Sequence, residues 1–173
     1  YASVVRGMFG PDADAILQRF PCPDDASVKH VFAELTTVTA FVAPARFLAK
    51  STAATQGKAF LYHFTHVPPG ARRLALGATH GSEIAYVFGN LRRLHGPADR
   101  RLSAAMSAAW VRFAKTGDPN GGGMPAWPVY TATADEHLEF GDEIRVGSGL
   151  HKATCDLLER AWAARQSPAL PTP

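Results

Sequence analysis

Apolar positions along this chain recur mostly at helical spacing, and the pattern changes to a strand-like run at full strength only once. Behind the punctuation of Gly10 and Pro11, Asp12 is placed to cap a helix running to Phe20, with Ala15, Ile16, Leu17 and Phe20 on its apolar side. The stretch before it, Ala2 to Phe9, reads as short and mixed. The Pro21 to Asp25 cluster ends that helix, and Asp25 or Ser27 can cap a second one carrying Val28, Val31, Phe32 and Leu35. Thr36, Thr37, Val38 and Thr39 make a poor helix centre because three of them are threonines and all are β-branched. A further helix is therefore expected from Phe41 to Thr55, with Pro44 confined to its first turn and Gln56-Gly57 closing it.

From Lys58 to Val67 the chain turns aromatic and β-branched, then meets Pro68, Pro69 and Gly70, the strongest strand signal present. Phe60, Leu61, Tyr62 and Phe64 do not alternate with polar residues, which predicts a strand covered on both faces in a sheet with helices on each side. Pro97 opens the clearest helix, with Leu102, Met106, Ala109, Trp110 and Phe113 in register, and the run from Lys115 to Asn120 stops it. Gly121 to Pro128 is a loop anchored by Trp127. Residues 137–140 and 144–146 read as two short strands about a Gly-Asp turn. A last helix, from His151 to Arg165, buries Cys155, Leu158, Ala161 and Trp162, and a proline-rich tail is expected to be loose from about residue 166. The fold class is α/β.

Composition narrows the function. With 173 residues, 46% hydrophobic and 19% charged, the chain is long enough to bury a core. A net charge of +3, with arginines in scattered pairs at 72–73, 92–93 and 100–101, does not make a nucleic-acid surface. Cys22 and Cys155 lack metal-type spacing and are either two free thiols or one long-range disulfide. No apolar run reaches the roughly 20 residues of a membrane helix, and the start lacks the layout of a signal peptide, so a soluble chain is expected, cytoplasmic or secreted. The sequence opens without methionine, in what reads as mid-segment, and is expected to be a piece of a longer polypeptide.

The candidate chemistry lies between Leu76 and Asn90. Gly77, Ala78 and Gly81 surround His80 with little bulk, so its ring can reach a cleft, while Ile84, Tyr86, Val87 and Phe88 pin the following turn into the core. A general base needs such a neutral imidazole, one nitrogen facing a nucleophile and the other a carboxylate. A hydrogen-bonded structural histidine fits the same pattern. Glu83, three residues on, supports the loop and does not complete a triad. Among the other histidines, His63 and His66 are at i and i+3 of a strand and point to opposite faces, so they do not share a metal. No metal site and no cofactor are called for.

The run from Gly77 to Asn90 resembles the histidine motif of type-B carboxylesterases, the carboxylesterase and cholinesterase family. Three other blocks are similar in the same order: Phe41 to Arg46, Ala59 to Phe64, and Trp110 to Asn120 followed by Trp127 to Tyr130. The resemblance runs from the start of the chain to about Trp162. It implies the C-terminal part of an α/β-hydrolase fold, with residues 1–173 belonging to one domain whose N-terminal portion lies outside this sequence. It further implies a serine esterase working through an acyl-enzyme, in which His80 is the triad histidine.

The resemblance also defines what is missing. The nucleophile elbow, Gly-x-Ser-x-Gly, has no match, since Gly147-Ser148-Gly149 has the wrong spacing and follows the histidine. The oxyanion glycines and the acidic triad member are expected in the preceding part of the same protein, which becomes an obligate partner, and the chain alone is expected to be inactive. Asp12, Asp14, Asp24 and Asp25 are explained by helix capping. Leu76, Thr79 and Ser82 are candidates to line the ester pocket, and without an aromatic cage they disfavour choline esters. The alternative function is a non-catalytic, esterase-like binding or adhesion module.

Overall fold

In the computed structural model, residues 1–74 and 77–166 are described. Leu76 and the tail expected from residue 166 onward therefore lie outside the described residues, save Gln166 itself, which closes the last helix. The chain divides into two compact units, residues 1–51 with 149–173, and residues 52–148.

The first unit is helical. The segment expected to be mixed is a helix, α1 (Ala2–Phe9), because Val5 and Phe9 are spaced to share one buried side. A 3₁₀ turn, Gly10–Asp12, leads into α2 (Ala13–Arg19), where Asp12 holds the N-cap position but its carboxylate makes no capping hydrogen bond. Ser27 holds the N-cap position of α3 (Val28–Thr37) without a side-chain capping bond, and Asp24 organises the turn before it: its Oδ1 accepts from the Ser27 N–H at 2.8 Å and the Ser27 hydroxyl at 2.6 Å.

The threonine run does not break the helix. Thr36, Thr37 and Thr39 each donate a hydroxyl to the carbonyl four residues back, at 2.8, 2.9 and 2.8 Å, which satisfies these side chains inside a helix. A π-helical turn, Val38–Val42, then joins α3 to α4 (Ala43–Ala54). That wider turn lets Pro44 enter without an amide hydrogen or a clash with the preceding carbonyls. The outcome is 27 continuous helical residues, Val28–Ala54, long and apolar enough by length and composition to cross a membrane, where the sequence pattern had suggested no such run. Core helices of water-soluble proteins meet the same test. Val31, Leu35, Val38 and Ala43 pack with α1, α2 and with Cys155 and Leu158 of α8 (Lys152–Gln166). Cys22 and Cys155 are not joined in a disulfide. Buried Arg46 faces Asp156 at 3.7 Å, and Asp156 also receives Lys152 at 2.6 Å.

The second unit carries the sheet. Strand β1 (Tyr62–Phe64) runs parallel to β2 (Glu136–Phe140), which pairs antiparallel with β3 (Ile144–Ser148), so β2 is central and β1 an edge. β1 is shorter than the Lys58 to Val67 run, and its flanks reach β2 only through shared carbonyls. The Leu61 carbonyl accepts from Leu138 and from the Trp127 indole, and the amides of Thr65 and His66 both donate to the Phe140 carbonyl. Tyr62 is half-exposed, so the expected coverage of both strand faces is not reached among the described residues.

Helices lie against one face. Leu138 and Phe140 pack with Tyr86 and Val87 of α6 (Ile84–Val87) and with Leu102, Met106 and Ala109 of α7 (Pro97–Thr116). α7 ends as the sequence predicts, on Gly117 in the left-handed region. Trp127 is the expected anchor: Asn120 accepts its amide at 2.6 Å and donates to its carbonyl at 3.0 Å, leaving the ring 4% exposed among Phe60, Trp110 and Phe140. The other sheet face carries His63, His137 and Glu139. Gly147 lies opposite His137, where a β-carbon would meet the imidazole Nε2 at 2.7 Å.

Candidate active site

The His80 turn is built from small residues. Gly81 adopts φ +81°, a conformation that favours glycine, and a side chain at Gly77 would meet nothing within 4 Å. Ser82 donates its amide to the Thr79 carbonyl, and the hydroxyls of Thr79 and Ser82 are 2.9 Å apart. His80 is exposed at the apex. Glu83 contributes through its backbone, its carbonyl accepting from the amides of Tyr86 and Val87 as α6 begins. Of the four residues expected to pin this turn, Tyr86 and Val87 are buried, whereas Ile84 and Phe88 are exposed, because the short helix α6 can turn only one side to the core. The turn thus brings His80, Gly81, Thr79, Ser82 and Glu83 together. No serine within a nucleophile elbow and no oxyanion glycine run joins them, since the sequence has neither.

A second cluster, beyond the reach of the sequence pattern, lies at the base of this segment. His66 is not on the strand with His63 but two residues past it, and it is buried. Its Nε2 bonds Asp99 Oδ1 at 2.9 Å and its Nδ1 bonds Asp142 Oδ1 at 2.8 Å. Asp99 Oδ1 also accepts the Tyr86 hydroxyl at 2.6 Å, while Oδ2 accepts the Gly96 amide at 2.7 Å and so caps α7. Arg72, in α5 (Pro69–Arg73), donates to Asp142 at 2.9 Å and to the Val67 carbonyl at 2.8 Å. His66, Arg72, Asp99 and Asp142, with Val67 and Leu102, line a cleft of about 300 Å³. The partners are 33 and 76 residues from His66, so periodicity had no means of joining them. The one local signal was Asp99 at the third residue of a helix opened by Pro97. Among the described residues no three His, Cys, Asp or Glu side chains converge as a metal site.

The family assignment follows from comparison with known proteins. Residues 16–158, which hold the His80 turn, the sheet and α7, match the carboxylesterase family. This chain belongs to the carboxylesterase family. It is similar to the fumonisin B1 esterase of Sphingopyxis macrogoltabida, with 34% identity over 161 residues that cover 87% of this chain and 29% of the relative. It is also similar to carboxylesterase 3B of Mus musculus, at 32% over 148 residues covering 75% of this chain and 25% of the relative. Against carboxylesterase 4A of Bos taurus the identity is 38% over 92 residues, 51% of this chain and 16% of the relative. The chain therefore spans under a third of the length of these relatives.

The mixed α/β architecture with a small sheet is consistent with a carboxylesterase-family domain. In this carboxylesterase chain the cluster at the base of the His80 segment sets an acid sensitivity. Burial pushes the Asp99 carboxyl up, but hydrogen bonds from Tyr86, His66 and the Gly96 amide outweigh it and hold it below the usual carboxylate value. The His66 hydrogen bond, with help from Arg72, does the same for Asp142. A depressed carboxylate adds stability that is present above its unfolded pKa, about 4, and is lost as pH falls through the folded value. Urea midpoints should hold steady from neutrality to roughly pH 5 and fall below about pH 4. The Asp99→Asn variant should start lower and show a shallower acid decline, and an unchanged acid slope would contradict this coupling.

Proposed function

We propose that this carboxylesterase chain supplies the triad histidine, His80, to a serine esterase that hydrolyses carboxylic esters through an acyl-enzyme. The observation that carries the reading is the exposed apex position of His80, between small residues, inside a family match that spans the turn. As a serine hydroxyl attacks the ester carbonyl, the imidazole takes its proton and then delivers it to the departing alkoxide. In the second half it takes a proton from water, the resulting hydroxide attacks the acyl carbonyl, and the proton returns to the serine. Thr79 and Ser82 flank the base and are positioned to border the ester, a role we extend to Leu76.

The nucleophile, its oxyanion donors and the acidic member that orients His80 are assigned to the part of the protein lying outside residues 1–173. We read these 173 residues as the C-terminal segment of one α/β-hydrolase domain. Two features support a polypeptide partner for the sheet unit. β1 is an edge strand, and beside it Phe60, Tyr62, Trp110, Phe113 and Trp127 line an open apolar cleft of about 170 Å³, with Phe113 46% exposed.

Labelling the complete protein with a fluorophosphonate tests the assignment. One serine should be modified, in a peptide outside residues 1–173, with loss of esterase activity in step with labelling. A label on Ser82 or Ser148, or no label on a protein lacking ester turnover, would overturn the serine-esterase reading, the latter in favour of a binding module.

A further inference from the structure

We infer that the hydrogen-bonded node of His66, Tyr86 and Asp99 positions the His80 imidazole by fastening both ends of the segment that carries it, an inference resting on the reading of His80 as the base. The segment leaves the core at His66 and re-enters it at Tyr86, and both residues bond the same oxygen, Asp99 Oδ1, at 2.9 and 2.6 Å. Each end is held a second time. His66 donates its amide to the Phe140 carbonyl of β2 at 3.1 Å, and the Tyr86 carbonyl accepts the Ser103 hydroxyl of α7 at 2.8 Å. Asp99 is itself immobilised by the Gly96 amide at the start of α7.

Both nitrogens of His66 face carboxylate oxygens, so the one ring bridges Asp99 and Asp142. Arg72 extends the clasp to α5, joining Asp142 to the Val67 carbonyl. The His80 turn, by contrast, is exposed from Gly77 to His80, and the node gives its segment a buried anchorage at each end. A general base must lie within hydrogen-bonding reach of its nucleophile, and a displacement of about 1 Å in a positioning element can cost on the order of 10²-fold in rate. The node is therefore a positioning device: none of its three side chains is required to touch the ester.

The experiment uses the complete protein and p-nitrophenyl butyrate, with kcat expressed per folded molecule counted from the urea unfolding amplitude. Tyr86→Phe and Asp99→Asn should each lower kcat by about 10- to 100-fold with KM changed by less than about three-fold. The double variant should fall little further than the worse single one, because both changes open the same clasp. If Asp99→Asn does not fold, Tyr86→Phe decides alone, since it removes one hydroxyl and keeps the ring in the core. Unchanged kcat per folded molecule in Tyr86→Phe, or a loss confined to KM, would overturn the inference. His80→Ala separates the two readings: if it is inactive while Tyr86→Phe is normal, only the positioning role fails, whereas normal turnover in His80→Ala removes the base and the node's purpose together.

Discussion

With His80 as the base, as proposed, replacing it by alanine in the complete protein is expected to lower kcat for p-nitrophenyl esters by about 10⁴- to 10⁶-fold, the range for removing the base of a serine triad. Without the imidazole the serine must attack as a neutral alcohol, and the leaving alkoxide finds no proton donor. Binding depends on other groups, so the loss should fall on kcat. The fold should survive, because His80 is exposed at the apex of its turn and belongs to neither buried cluster. Steady-state kinetics beside a thermal melt would check both statements. Turnover within about ten-fold of the parent would be too fast for an enzyme that has lost its general base, which supplies on the order of 10²-fold even in simple proton transfer.

Phe140→Ala should be the most destabilising single change in the sheet unit, by about 3–5 kcal/mol. The side chain is fully buried on the central strand, with ring centroids 5.4 Å from Trp127, 5.9 Å from Trp110 and 6.3 Å from Tyr62. Alanine would leave a cavity among large, rigid rings that cannot collapse into it, and the lost edge-to-face contacts add to the transfer cost. The same residue's carbonyl receives both Thr65 and His66, so a shift of β2 also loosens the entry to the His80 segment. Urea denaturation of the complete protein measures the effect, with Phe140→Leu expected to lose less than half as much. A loss under about 1 kcal/mol for Phe140→Ala would show that these rings repack.

Features set by neighbouring residues were legible in the sequence. The limits of α7 follow from Pro97 at one end and Gly117 at the other, and the β2–β3 hairpin from two short apolar runs about Gly141 and Asp142. The small residues about His80 foretold a turn for the same reason, closed by the Ser82 amide on the Thr79 carbonyl. The threonine run misled because β-branching was weighed without the hydroxyls, which return their hydrogen bonds to the carbonyls one turn back and let the helix pass. β1 was overestimated because aromatic content reports burial as well as strand formation, and the carbonyl of Leu61 is shared between the Leu138 amide and an indole 66 residues away. The His66 cluster was invisible on principle. Its members come from the exit of β1, from α5, α6 and the start of α7, and from the β2–β3 turn, and only tertiary structure brings Asp99 and Asp142 to the two nitrogens of one ring.

The pairing of Gly147 with His137 acts as a key in the hairpin. The glycine leaves a notch on β3 into which the imidazole fits, and a β-carbon there would approach Nε2 to 2.7 Å. Sliding β3 by one residue would bring Val146 or Ser148 opposite the ring and send alternate side chains to the wrong face of the sheet. Sliding by two toward Arg145 would restore the faces but set a β-carbon against the ring, and of the four nearest slips only the one that offers Gly149 escapes that clash. The notch thus bars three of those four slips, and the alignment that seats this imidazole also sets Phe140 against Ile144, next to the turn that carries Asp142.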